Sequence, residues 1–252
     1  MIALQLYTLR RRLADPSRVP EVLERVRETG YQAVELAGLG PIGAEALAAA
    51  LEQANLVACA AHVAWPRLRD DTDRVVEECR LWGCAAAVVP VLPAEYRSAA
   101  GYARFGAEAA ELAARLREAG LRLAYHNHSF ELQRFGDANG LEILFRAAPG
   151  DLLGAEIDTY WIQQGGGSPA AWIRRLGGRV PLVHLKDVDV AEGRPVMAEV
   201  GEGNLDWPDV LAACREAGAE WLVVEQDECR RDELDSVGMS YRNLVRMGAA
   251  AV

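Results

Sequence analysis

The stretch LAYHNHSFE, residues 123–131, ends a short apolar run in His126, Asn127, His128 and Glu131, so two of the four histidines in the chain meet at one strand end. Imidazole changes charge near neutral pH with the least tuning, which suits proton transfer. Similar polar endings recur along the chain. Glu35 follows AV, His62 follows CAA, Glu156 and Asp158 close GAEID, His184 and Lys186 close LVHLK, and Glu225 follows WLVV. Residues i and i+2 of a strand share a face, so Glu156 points with Asp158 and His184 with Lys186. A carboxylate directly behind WLVV is costly to bury unless something pairs with it. Histidine joined to several carboxylates, with no cysteine near these ends, is an oxygen-rich donor set. It fits Mn²⁺, Mg²⁺ or Co²⁺ with open positions better than a structural zinc site. His62 alone reads as a hydrogen-bonding strand end, and EQDECRRDE beyond the last strand as a solvated loop.

Something must bring these ends together. Eight β-like runs are spaced along the chain at 2–7, 33–36, 56–63, 85–91, 121–126, 152–158, 180–186 and 221–226. Amphipathic segments such as PEVLERVRETG and YARFGAEAAELAARLREAG separate them, and Gly30, Gly120 and Gly218 supply left-handed helix stops. Strict alternation of strand and helix predicts a parallel sheet with right-handed crossovers, and eight units in about 250 residues is the size of a closed (β/α)₈ TIM barrel. An open doubly wound sheet usually carries a glycine-rich turn after its first strand. Here that strand runs into QLYTLRRR instead, so neither that fold nor a nucleotide cofactor is expected. No linker or composition shift divides residues 1–252, and a single barrel domain is expected. Barrel enzymes build their sites at the C-terminal strand ends, which is where the polar residues fall.

Composition excludes several classes. A net charge of −10 disfavours a nucleic-acid surface. Arg10-Arg11-Arg12 is the one strong basic run, and one of these arginines, Arg10 first, could still reach an anionic or hydroxylated ligand. No apolar stretch approaches the ~18–20 residues of a membrane span, and the N-terminus lacks a signal-peptide pattern. Five cysteines without a C-x-x-C sit mostly among apolar residues, as free thiols do in a reducing compartment, so a cytoplasmic location is expected. The alanine-rich outer helices are compatible with a homo-oligomer.

Taken in order, LAYHNHSFE, GAEIDTYWIQQGG, GRVPLVHLKD, VGEGNLDW, WLVVEQDE and SYRNL resemble the sugar phosphate isomerase/epimerase family, whose members share the xylose isomerase-like barrel. The resemblance is strongest over 121–244. It implies one divalent metal, Mn²⁺ first with Mg²⁺, Co²⁺ or Zn²⁺ as alternatives, held by Glu131, Asp158, His184 and Glu225. Ketose epimerases of this superfamily carry the first ligand within the fifth strand, where this chain has Tyr125 or His126; Glu131 is expected to take that part. His126 and Glu156, then His128 and Lys186, are the expected acid/base and oxyanion groups, with Glu35, His62, Trp161 and Arg10 as substrate contacts. The implied activity is isomerisation or epimerisation of a ketose or keto-polyol through an enediolate. The alternative is lyase or dehydratase chemistry on a keto-inositol or 3-keto-glycoside. An endonuclease IV-like enzyme and a non-catalytic sugar-binding protein are the more distant readings. Four histidines are too few for a multi-zinc cluster once one serves a single-metal site.

Overall fold

The computed structural model describes residues 1–249; residues 250–252, part of the expected single domain, lie outside the described residues. Eight parallel strands close on one another: β1 (Ile2–Gln5), β2 (Ala33–Leu36), β3 (Val57–His62), β4 (Ala86–Val89), β5 (Arg122–His126), β6 (Leu153–Asp158), β7 (Leu182–Leu185) and β8 (Trp221–Val224). Each pairs with its neighbours in chain order, and β8 returns to β1 through Leu4 opposite Val224. The fold is the expected TIM barrel with flanking helices. Among the described residues, no helix is long and apolar enough to cross a membrane.

Two apolar shells arise from the period-2 alternation of the strands. The outer shell, between strands and helices, takes Leu4, Val34, Tyr125, Ile157, Val183 and Val224. The inner one is made of Ala3, Ala33, Cys59, Ala60, Ala86, Val88, Ala124, Leu182 and Val223, all buried. Small residues dominate this inner layer, and two positions further along each strand the inward side chain becomes polar. Ala3 leads to Gln5, Ala33 to Glu35, Ala60 to His62, Ala124 to His126, Leu182 to His184 and Val223 to Glu225. The barrel thus has an apolar floor and an ionisable layer above it.

Outside the barrel, the long helix Ala99–Glu118 starts at Ser98, whose hydroxyl accepts from the Gly101 N–H at 3.1 Å. It lies tight against the helix Gly140–Ala147: a Cβ on Gly106 would stand 2.3 Å from the Leu144 carbonyl oxygen, so no larger residue fits that crossing.

Two antiparallel hairpins depart from the simple alternation expected from sequence. One pairs Asp187–Ala191 with Arg194–Ala198 through a two-residue loop, where Glu192 and Gly193 both hold positive φ, the pattern of a type I′ turn. Asp187, at its base, is buried and takes N–H donors from Val188, Gly201, Gly203 and Leu205 at 2.8–3.1 Å, together with the Trp207 indole N–H. One carboxylate therefore ties the VGEGNLDW loop to the end of β7, beside Lys186. Asp187→Asn puts an amide NH₂ against these donors; we expect a loss of about 2 kcal/mol or more and a melting temperature lower by roughly 4–8 °C in a thermal scan. An unchanged melting temperature would show that the loop is held by something else.

Candidate metal and active site

The polar layer becomes a cluster because neighbouring strands place their last inward residues side by side. His126 pairs in register with Glu156, and Asp158 with His184, while Glu225 follows β8 directly. Four of these residues, His126, Asp158, His184 and Glu225, each offer one donor atom within 4.8 Å of the others, and all four are buried. His184 Nδ1 lies 2.8 Å from Glu225 Oε2, and His126 Nε2 lies 3.2 Å from Asp158 Oδ2. On the other ring nitrogen of His126, 3.1 Å away, is the Pro90 carbonyl, which can only accept. Nδ1 therefore carries the proton, and Nε2 turns toward Asp158. Asp158 divides its oxygens: Oδ1 accepts from the Trp161 N–H at 2.9 Å and so caps the helix Thr159–Gln164, and Oδ2 faces the cluster.

A second group lies next to the first and shares His184. Glu35, His62, Glu156 and His184 also bring one donor atom each within 4.8 Å. His184 Nε2 is 2.7 Å from Glu35 Oε2 and 3.1 Å from Glu156 Oε2, and His62 Nε2 is 2.8 Å from Glu156 Oε2. Gln5 donates to Glu35 Oε2 at 2.8 Å.

The charges are mutually dependent. Burial disfavours the Lys186 ammonium, yet Asp158, Glu225 and Asp227 at 3.0, 2.7 and 2.8 Å outweigh it and hold its pKa well above the usual lysine range. Burial likewise opposes ionisation of Glu225 and Asp158. Lys186 and His184 overcome it at Glu225, Lys186 and His126 at Asp158, and both stay below the usual carboxylate range. Burial would also lower His62, but Glu35 and Glu156 push it up to about 10. His128 behaves in the opposite way: burial first, then His126, push it down to about 3, so its imidazole is neutral.

Glu131 does not join the other three expected ligands. Tyr125 points outward into the shell of Phe105 and Phe145, because Ala124 and His126 take the inward positions of β5. The Glu131 carboxylate follows Tyr125, accepting from its hydroxyl at 2.5 Å and from the His128 N–H at 2.9 Å. Burial raises it to about 7, with the Tyr125 hydrogen bond opposing. It thus braces the HNH turn, and His126, expected as an acid/base group, completes the donor set in its place. Glu35, His62 and Glu156 were expected to touch substrate or move protons; Glu35 and Glu156 instead lie fully buried in the second group. His62 retains a wall of the mouth.

That mouth is a cavity of about 410 Å³ lined by Tyr7, His62, His126, His128, Glu225 and Asp227. The Trp161 ring lies 5.3 Å from the His128 ring and 5.6 Å from Lys186 Nζ. His128 Nδ1 and Trp161 Nε1 are both buried without a hydrogen-bond partner. Arg10 reaches the rim, stacked over Tyr7 and bonded to the Asp227 carbonyl at 2.6 Å and to Glu228. A cavity of equal volume, about 410 Å³, opens at the opposite end of the barrel beside Leu123 and Leu153. Its arginines are engaged, Arg122 with Glu220 and Arg179 with backbone carbonyls, so it presents no comparable chemistry.

The sequence profile described as xylose isomerase-like TIM barrel matches residues 23–237. The chain belongs to that family. Among curated proteins it is similar to the rhizopine catabolism protein MocC of Rhizobium meliloti, 30% identical over 167 residues, which are 58% of this chain and 50% of that protein. The match thus spans half the length of that relative. Among solved structures it is similar to a sugar phosphate isomerase/epimerase from Parabacteroides distasonis, with a TM-score of 0.81 and 20% identity over 96% of this chain and 92% of that one. It is also similar to the probable 3-DHS dehydratase AsbF from Bacillus anthracis, with a TM-score of 0.72 and 12% identity over 97% and 98% of the two chains. At these identities the structures share the fold of this xylose isomerase-like barrel.

The family implies a divalent metal, and the donors of this chain fit one. Two imidazoles and two carboxylates in one buried layer form a borderline donor set. Next to them the Oε1 atoms of Glu35 and Glu156 are buried without a hydrogen-bond partner, which is costly unless a cation or proton serves them.

Proposed function

We propose that the protein is a divalent-metal-dependent isomerase or epimerase acting on a neutral ketose or keto-polyol through an enediolate. The observation that supports this most is the convergence of His126, Asp158, His184 and Glu225 at the foot of an aromatic-walled mouth. A divalent cation held by these four would supply Lewis acidity toward a substrate carbonyl and so acidify the neighbouring C–H. A divalent cation on the Asp158 and Glu225 oxygens would free Lys186 Nζ, now held by three carboxylates, to donate a hydrogen bond to the oxygen on which negative charge develops. His128 lines the cavity and has an unpartnered ring nitrogen, a position from which a proton on carbon can be taken. Returning the proton to the neighbouring carbon gives an isomer, and returning it on the opposite face gives an epimer. Tyr7, on the cavity wall, and Trp161, packed 5.3 Å from the His128 ring, are the aromatic faces nearest the C–H side of a sugar.

Neutrality of the substrate follows from the charges at the mouth. Glu225 and Asp227 line it, Lys186 is shared among three carboxylates, and Arg10 is bonded to Asp227 and Glu228. A phosphate entering there would meet carboxylates rather than an unpaired cation.

One observation favours a second reading, elimination. The Trp161 ring lies 5.3 Å from the His128 ring and 5.6 Å from Lys186 Nζ, so Lys186 could assist a β-leaving group while His128 takes the proton. Incubating the Mn²⁺-loaded protein in D₂O with ketoses, keto-inositols and 3-keto-glycosides separates the two. Deuterium beside the carbonyl in an intact skeleton is the expected result; an unsaturated ketone identifies elimination. Exchange with none of them, or only with phosphorylated sugars, would overturn the neutral-ketose reading.

A further inference from the structure

The part of the cluster that the proposed reaction leaves unused is the neighbouring group built on Glu35, His62 and Glu156, termed the lower group. We infer that this group is a second cation site, so that the barrel holds two divalent cations joined through His184. This goes beyond the proposed function, and it depends on that reading only for the upper cation.

Four observations converge on the inference. Glu35 and Glu156 are fully buried; Glu156 Oε1 has no hydrogen-bond partner, and Glu35 Oε1 has none closer than the His62 Nε2 contact at 3.4 Å. Strands β2, β3, β6 and β7 supply one donor atom each within 4.8 Å, a spacing one ion can span. Gln5, from β1, donates to Glu35 Oε2 at 2.8 Å and fixes that carboxylate from behind, as an outer partner orients a ligand. The His184 ring also lies between the two groups, its Nδ1 toward Glu225 and Asp158 and its Nε2 toward Glu35 and Glu156. The His62 ring stacks beside it at 5.5 Å and 7°.

The two groups differ in what already serves them. In the upper group the Lys186 ammonium lies on the same Asp158 and Glu225 oxygens that face the imidazoles. In the lower group the contacts to the carboxylates come from the two imidazoles and from Gln5, and among the described residues no lysine or arginine pairs with them. Binding through both ring nitrogens requires His184 to release its ring proton to solvent. The balance then closes. Glu35, Glu156, Asp158, Glu225 and the bridging imidazolate carry as much negative charge as two divalent cations and Lys186 carry positive. Asp227, partly exposed at the rim, is left to the solvent side. Two imidazoles with two carboxylates suit Co²⁺ or Zn²⁺. The alternative occupant is a pair of protons on His62 and His184.

The test is a Co²⁺ titration of the chelator-stripped full chain, reading visible d–d absorption and the cobalt retained after gel filtration. The expected result is two Co²⁺ per chain, falling to one in Glu35→Gln and in His62→Asn, and to one in Asp158→Asn with the lower cation retained. One Co²⁺ in the native chain, lost in Asp158→Asn but kept in Glu35→Gln and His62→Asn, overturns the second site and leaves the proposed function standing. One Co²⁺ kept in Asp158→Asn but lost in His62→Asn supports the lower site and removes the upper one. Failure of the native chain to bind any overturns both. Two Co²⁺ in the native chain establish the second cation without the variants; where the native chain holds one, the variants assign it, and far-UV circular dichroism of each metal-free variant identifies any that fails to fold.

Discussion

Asp158→Asn is expected to lose one equivalent of bound divalent metal and to lower turnover by roughly 10³-fold, about 4 kcal/mol of transition-state stabilisation. Asparagine is the informative substitution because Asp158 has two tasks. Oδ1 caps the helix Thr159–Gln164, and an asparagine oxygen can keep that bond. Oδ2 lies on the Lys186 ammonium and faces the metal-competent layer, and an amide NH₂ there sets donors against that ammonium and removes an anionic ligand. Alanine would remove both tasks and confuse folding with coordination. Metal analysis after gel filtration, beside a thermal scan, checks the prediction. Unchanged metal content with reduced turnover would place Asp158 outside the coordination sphere and leave it a positioning role.

Lys186→Met is expected to have the second large effect, with an unusual signature. The ammonium is 1% exposed and lies within 3.0 Å of Asp158, Glu225 and Asp227. Removing one partner of a buried ion pair leaves uncompensated charge, a loss of about 3–5 kcal/mol. A divalent cation can replace much of that charge at the same oxygens. Mn²⁺ should therefore raise the melting temperature of Lys186→Met by more than it raises that of the native chain, by mass action on the folded state. Turnover should stay depressed by about 10²–10³-fold even when metal is saturating, because the donor to the developing oxyanion is gone. Equal metal-induced shifts in both proteins would show that Lys186 and the cation do not share these carboxylates. Full activity in the metal-saturated variant would restrict Lys186 to charge compensation.

Much of the barrel was legible because its signal is repeated eight times. Each strand is a short apolar run, each connection an amphipathic helix, and the period-2 rule places Glu156 with Asp158 and His184 with Lys186 on the inner face. The same rule applied to β5 puts His126 inside and Tyr125 outside, which is what the structure shows. Glu131 was harder to place. It lies beyond the strand, where alternation no longer governs direction, and nothing local shows that the turn returns its carboxylate to the Tyr125 hydroxyl. The hairpin Asp187–Ala191 with Arg194–Ala198 was missed for a related reason. Its turn is Glu192-Gly193 rather than Asn-Gly, and its strands are too polar to stand out beside the barrel runs. Glu35 and His62 were noted singly as substrate contacts. Their meeting with Glu156 depends on closure of the sheet, which carries the end of β3 across to β6.

The ring of alanines, valines and leucine beneath the ionisable layer has a kinetic consequence. Ala3, Ala60, Ala124, Leu182 and Val223 are wholly inaccessible and close the axis from below. Traffic to the reactive layer then enters through the mouth flanked by Tyr7 and His128. A polyol lodged in it would obstruct escape of whatever ion lies underneath, so a chelator should strip the resting protein faster than one turning over substrate. Product, leaving by the route its precursor takes in, should act as a simple competitor.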